Sequence, residues 1–235
     1  MMGQVVLLSG GMDSATCLAL AIKKYGIEHV IALAFTYGQK HDLEIVNARQ
    51  VARFFGAKLV EAAVDHKIFT GSDSTLLKGN GAIEEKSYAE IMQEKGAKVV
   101  DTYVPFRNGL MLSQAAALAY SSHLDEVAYG AHADDAAGNA YPDCSPVFFE
   151  AMRDAVVAGT AGKVTMAAPL IELTKAGVVS LGHKLGVPFE LTRSCYEGHK
   201  YACGKCGTCR DRINAFKQNG LRDPIKYEKS PNWNN

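Results

Sequence analysis

The sequence predicts an α/β protein, a Rossmann-like parallel sheet flanked by helices, with a small metal-binding region near its C-terminal end. Three observations carry this. Short apolar runs alternate with helix-length stretches from Val5 to Leu185, the pattern of parallel strands joined by crossover helices. Polar segments follow the apolar runs at 9–14, 36–41, 105–108 and 132–143; in such sheets ligands bind beyond the carboxyl ends of the strands. Four cysteines crowd into residues 195–209.

The elements follow in order. Val5–Leu8 is a strand buried on both faces. Ser9, Asp13 and Ser14 are helix-start residues, and Ala15–Ile22 continues as the helix. His29–Phe35 reads as a second strand, Lys40–Phe55 as a helix ended by Gly56, and Lys58–Val64 as a third strand. Residues 65–98 are less regular, with Gly71, Gly79 and Gly81 in a loop and a short helix near Ser87–Glu94. Val99–Val104 is expected as a strand running into Pro105, and Gly109–His123 as a buried helix. Glu126–Ala131 is a strand ending in the polar segment His132–Asn139. Ser145–Ala158 is helical, Val164–Ala168 a strand, and Thr174–Leu185 a helix closed by Gly186. Pro224–Asn235 reads as an extended arm or coil. The 235 residues suit one domain with an appendage: an α/β domain over 1–192 and a zinc-binding region over 193–235 packed on it.

Composition excludes several partners. Lys+Arg and Asp+Glu are 25 each, so a broad nucleic-acid surface is not expected. No basic segment precedes an apolar stretch, and no apolar run approaches the ~20 residues of a membrane span. The expectation is a cytoplasmic protein without a membrane partner.

The loop Ser9-Gly10-Gly11-Met12-Asp13-Ser14 joins the first strand to its helix. Its glycines permit a sharp turn and close approach to a ligand. Such a unit aims free N–H groups and the positive end of a helix dipole at one spot, where phosphate binds. A Walker loop needs a Lys beside its last Ser/Thr, yet no Lys occurs between Gln4 and Ile22. The glycine spacing of a dinucleotide fold is also absent.

Cys195, Cys203, Cys206 and Cys209 are spaced Cys-x7-Cys-x2-Cys-x2-Cys, the last three forming two overlapping Cys-x-x-Cys pairs. Four thiolates with no spare ligand suit a closed, structural Zn²⁺ site; an iron–sulfur cluster could use the same ligands. His199 lies inside this loop and is expected in solvent. Cys17 is read as core, and Cys144 as buried. Residues Phe35 to His41 follow the second strand and could hold an adenine edge. Arg107 could clamp a carboxylate or phosphate, while Asn108 can cap a helix. His132, Asp134, Asp135 and Asp143 could hold Mg²⁺ or a polar heterocycle. Lys175 begins a helix, where a cation opposes the dipole, which suggests a phosphate contact.

The loop resembles the pyrophosphate-binding loop of the N-type ATP pyrophosphatases. Several further segments together resemble one family within them, the 7-cyano-7-deazaguanine synthases. These are Tyr37-Gly38-Gln39-Lys40-His41, Val104-Pro105-Phe106-Arg107-Asn108-Gly109, Tyr141-Pro142-Asp143-Cys144, Leu173-Thr174-Lys175-Ala176, and Ser194-Cys195-Tyr196-Glu197-Gly198 with the three later cysteines. They span residues 9–209 in family order. The resemblance implies an adenine nucleotide alpha hydrolase-like fold. It also implies a ligase that turns 7-carboxy-7-deazaguanine, ammonia and ATP into 7-cyano-7-deazaguanine through an acyl adenylate and an amide. ATP, with Mg²⁺, is expected along Leu8, Ser9, Gly10, Gly11, Met12, Asp13, Ser14, Ala15, Thr16, Cys17 and Leu18. Asp13, acting through Mg²⁺ or as a helix cap, Arg107 and Lys175 are the catalytic candidates. Arg107, Asn108, Asp134 and Asp143 are the substrate candidates. A homodimer is implied as well. Two rival functions share parts of this pattern: a tRNA thiolase with the same ATP loop, and a nucleotide- or zinc-ribbon module without turnover.

Overall fold

The structure is a computed structural model, and it describes residues 2–40, 42–83, 90, 99–137 and 140–233. Five parallel strands form one sheet: β1 (Gln4–Leu7), β2 (Val30–Thr36), β3 (Lys58–Ala63), β4 (Glu126–Ala128) and β5 (Thr165–Ala167). Their order is β3-β2-β1-β4-β5. The chain therefore winds outward in one direction from β1 and then in the other, and a crevice opens where the order reverses. Seven helices surround the sheet among the described residues: α1 (Met12–Tyr25), α2 (Leu43–Phe55), α3 (Arg107–Ser121), α4 (Ala133–Ala136), α5 (Pro146–Gly159), α6 (Lys175–Lys184) and α7 (Gly207–Gln218).

Strand alternation splits the core into two layers. Val5, Ile31, Leu33 and Phe35 join Leu112, Ala115 and Ala119 of α3 and Val156 of α5 on one face. Val6, Ala32 and Ala34 join Leu18 of α1, Ala48 and Val51 of α2, Val178 and Val179 of α6, and Phe216 of α7 on the other. Val5 and Val6 are fully buried, as a central strand covered on both sides requires.

Several boundaries differ from the sequence reading. The first helix begins at Met12 rather than Ala15, because extended Gly11 is its N-cap; Asp13 and Ser14 sit inside the first turn. Helix α2 begins at Leu43 rather than Lys40. The Gln39 side chain accepts from Tyr37 N at 2.8 Å, and Lys40 N donates to Leu76 O at 3.0 Å, so this backbone is tied to a loop first. Val99–Val104 is not a strand. Thr75 N donates to Asp101 O at 2.8 Å and Val100 N to Ala140 O at 3.3 Å, so loops satisfy its backbone while Val100 and Val104 enter the core. Strand β4 stops at Ala128, opposite the last residue of β5. The helix expected at Ser87–Glu94 lies outside the described residues apart from Glu90. Other local signals hold: Gly56 is the left-handed C-cap of α2, and Ser145 and Thr174 cap α5 and α6 through their hydroxyls.

The C-terminal segment is joined to the sheet layer by a buried fork. Arg212 of α7 is fully buried. Its Nε donates to Asp223 Oδ2 at 2.6 Å and its Nη2 to Asp223 Oδ1 at 2.9 Å. It also donates to Phe189 O at 3.0 Å and Thr192 Oγ1 at 2.8 Å. Tyr227 OH donates to Asp223 Oδ2 at 2.6 Å. Beyond it, Ala202 bridges Tyr227, and Trp233 packs on the Tyr227 ring. Arg212→Met leaves the Asp223 carboxylate buried without its cation. The expected loss is about 3–5 kcal/mol, read from the urea midpoint.

Candidate active site and metal site

The loop after β1 is built around Ser14. Its Oγ donates to Gly11 O at 3.0 Å and accepts from Ser9 N at 3.2 Å, with Ser9 Oγ 3.1 Å away. Gly10 has φ +80°, and a Cβ there would stand 2.4 Å from Glu44 O and 2.7 Å from Ala48 N. Only glycine lets the loop lie directly on α2. The first-turn N–H groups of α1 lack helical partners and point outward with the positive end of its dipole. They face a cleft of about 230 Å³.

A second helix start meets the first here. Lys175, the first residue of α6, donates from Nζ to Asp13 Oδ2 at 2.6 Å and lies 3.1 Å from His132 Nε2. His132 Nε2 is 3.2 Å from Asp135 Oδ2 and 3.8 Å from Asp13 Oδ1. Lys175 N donates to Asp134 Oδ2 at 2.7 Å. Burial works to raise the Asp13 carboxyl, but Lys175 and His132 outweigh it and hold it below the ordinary 3.8. Burial opposes the charge of Lys175, and Asp13 and Asp135 more than restore it. Asp135 is pushed up by burial. Asp13 Oδ1 and His132 Nδ1 are buried without a hydrogen-bond partner.

The opposite helix layer supplies Arg107. Phe106 takes a left-handed conformation at the N-cap of α3, its N–H held by Tyr103 OH at 2.8 Å. A Cβ on Gly109 would stand 2.4 Å from the Phe106 ring, so Gly109 makes room for this entry. Arg107 then donates from Nη1 to Tyr37 OH at 2.9 Å and lies over the Tyr37 ring. Asn108 N donates to Asp143 Oδ2 at 3.0 Å, and Asn108 Nδ2 contacts Asp143 O and Cys144 Sγ, each at 3.3 Å.

The cleft thus gathers Ser9, Gly11, Asp13, Ser14, Arg107, Asn108, Asp134 and Lys175 from the sequence-read candidates, with Leu8 at its floor. Gly10 backs the loop against α2. Met12, Ala15, Thr16, Cys17 and Leu18 do not line it: this stretch of α1 is covered both by the sheet and by α6, with Thr16 against Gly182 and Cys17 Sγ 3.6 Å from Tyr129 O, so all five are buried. Asp143 is buried outside the lining, where it caps α3. Cys144 is buried at the cleft wall; His41 lies outside the described residues. Glu44, Tyr129, Arg193, Tyr196 and Asp211 also line the cleft and were not singled out as site residues in the sequence. Arg193 had one signal, its place two residues before Cys195; Asp211 had its place two residues after Cys209.

The four cysteine sulfurs of 195, 203, 206 and 209 all lie within 4.8 Å of one another. Tetrahedral thiolates at a bond length of about 2.3 Å stand about 3.8 Å apart; Cys203 and Cys209 are 3.9 Å apart. Cys203 N donates to Cys195 Sγ, while Lys205 N and Cys206 N donate to Cys203 Sγ. Donor type and spacing fit one metal ion. His199 stands outside the cluster, exposed and paired with Glu228. No helix among the described residues is long and apolar enough to cross a membrane.

A family model described as "Queuosine biosynthesis protein QueC" matches residues 3–220. Three curated relatives carry the name 7-cyano-7-deazaguanine synthase. The one from Oceanobacillus iheyensis is 42% identical over 227 residues, covering 95% of this chain and 97% of the relative. That from Thermoplasma volcanium is 42% identical over 233 residues, covering 97% and 92%. That from Legionella pneumophila is 39% identical over 232 residues, covering 96% of each.

The Asp13–Lys175 pair makes a pH prediction. A carboxyl held below 3.8 contributes stability that is complete above that value and is lost as pH falls through its lowered pKa. In Lys175→Met the main cause of the lowering is gone, so the acid unfolding midpoint, followed by circular dichroism, moves to higher pH.

Proposed function

The chain belongs to the QueC family of queuosine biosynthesis proteins, and we propose that it converts 7-carboxy-7-deazaguanine and ammonia to 7-cyano-7-deazaguanine with ATP. The substrate carboxylate attacks the α-phosphate of ATP, pyrophosphate leaves, and an acyl adenylate forms. Ammonia displaces AMP to give the amide. The amide oxygen attacks the α-phosphate of a second ATP, pyrophosphate leaves, and loss of AMP and of the two amide protons leaves the nitrile. A carboxylate is a poor electrophile with a poor leaving group, and adenylation improves both. The protein's contribution is positioning and charge stabilisation at phosphorus.

The observation that carries the reading is Lys175 held 2.6 Å from Asp13 beside the Ser9–Ser14 loop. The loop contains no Lys, and α6 supplies one from elsewhere in the chain. In this reading Ser9, Gly11, Ser14 and the first-turn N–H groups bind the departing pyrophosphate, and Lys175 offsets charge at the α-phosphate. Asp13 fixes Lys175. Its free Oδ1, buried without a partner, suits an Mg²⁺ ion accompanying ATP. Arg107 and Asn108 bind substrate or phosphate, and Asp134 lies at the substrate wall. Asp143 acts through Asn108. We read residues 1–192 as the catalytic domain and 193–235 as the zinc-binding region packed on it, a division that the Arg212 fork to Phe189 and Thr192 supports. One structural Zn²⁺ per chain is held by Cys195, Cys203, Cys206 and Cys209, a donor set of four thiolates that suits it. The working protein is a cytoplasmic homodimer that draws ammonia from solution or a partner.

Mass spectrometry of products from 7-carboxy-7-deazaguanine, ATP and ammonium tests the reaction; it should find the nitrile, AMP and pyrophosphate. Ser14→Ala is expected to raise the KM for ATP about thirtyfold, in line with losing two hydrogen bonds of about 1 kcal/mol each at about 1.4 kcal/mol per tenfold, with the circular dichroism spectrum unchanged. Unchanged kinetics would remove the loop from the ATP site. Cys206→Ser should lose its zinc and with it stability; active wild-type protein free of zinc by elemental analysis would end the zinc assignment.

A further inference from the structure

We propose that Arg193 is a second cation of the triphosphate subsite, held there by the cysteine loop. The proposal rests on the ATP reading of the Ser9–Ser14 loop and adds a residue to it. Arg193 lies against that loop: its N–H donates to Gly10 O at 2.9 Å, and its carbonyl is 3.5 Å from where a Cβ on Gly11 would stand. Its side chain reaches back into the segment between Cys195 and Cys203. There Nη2 donates to Glu197 O at 2.5 Å and His199 O at 2.8 Å. These two carbonyls fix one edge of the guanidinium. The Nε is buried with no partner, although the residue lines the cleft.

A buried cationic N–H without an acceptor is a costly arrangement, and an anionic oxygen satisfies it. The nearby carboxylate is Glu44, which feels the charges of Arg107 and Arg193, yet burial raises it and weakens it as a counterion. The ligand that fits is the anionic tail of a nucleoside triphosphate on the loop that Arg193 already touches. A guanidinium with part of its fork committed to carbonyls is pre-organised for that task. The cysteine cluster then does more than fasten the C-terminal region: its loop aims a cation at the phosphate subsite.

Calorimetric titration of the zinc-loaded chain with ATP, and separately with pyrophosphate, tests this in wild type, Arg193→Gln, Arg193→Lys and Ser14→Ala. Arg193→Gln should weaken both ligands tenfold or more while the protein stays folded at the titration temperature by circular dichroism, and Arg193→Lys should recover only part. Binding within twofold of wild type in Arg193→Gln, where Ser14→Ala does weaken it, overturns the role of Arg193 alone. Insensitivity of both variants overturns the loop reading itself. The tether has its own readout: in cobalt-substituted protein, pyrophosphate should shift the visible cobalt–thiolate bands of wild type but not of Arg193→Gln. Bands that stay fixed in wild type, or move equally in both, refute the coupling.

Discussion

The contact between Lys175 and Asp13 sets the electrostatics of the cleft. Two helices, α1 and α6, start at the same place, and both starts carry partial positive charge. A lysine at the head of α6 adds to that repulsion, and its burial adds a desolvation cost. Asp13 in the first turn of α1 and Asp134 on the N–H of Lys175 counter both. The balance leaves a fixed ammonium beside a fixed ring of N–H groups. Such a surface is ready for an anion with no rearrangement at the moment of reaction. Asp13, an acid in an anion site, thus has a physical task in placing the cation.

The remaining architecture places these groups. Reversal of strand order at β1 opens the crevice, and burial of β1 on both faces fixes the height at which the loop emerges. The α3 layer contributes Arg107 through the Phe106–Gly109 entry. The C-terminal segment contributes Arg193 and Asp211, and the Arg212–Asp223 fork keeps that segment against Phe189 and Thr192. Every wall of the cleft therefore comes from a different stretch of chain. The two partners of the central ion pair are 162 residues apart in sequence.

That separation explains what was legible in the sequence. Local signals read well: Ser145 and Thr174 as helix starts, Gly56 as a helix stop, the Ser-Gly-Gly-x-Asp-Ser segment as a strand-to-helix turn, and the cysteine spacing as a cluster that could hold a metal ion. Lys175 was legible as a cation placed against its helix dipole, but its partner was not, because no local rule links residue 175 to residue 13. Val99–Val104 has the apolar pattern of a strand, but loops at 75 and 140 supply its backbone partners. The run from Leu8 to Leu18 reads as one binding stretch in sequence, whereas cover by the sheet and by α6 buries Met12, Ala15, Thr16, Cys17 and Leu18. Asp143 looks like a ligand in sequence and is a cap in the fold.

The seating of Gly10 on α2 has a mechanical corollary. With the carbonyl of Glu44 and the amide of Ala48 pressed against it, the Ser9–Ser14 loop has no free space behind Gly10 and is braced there by close-packed backbone. It cannot recoil without carrying α2 along. Under the proposed reaction, the two successive activations of a nitrile synthesis, first of an acid and then of an amide, would meet the same braced loop.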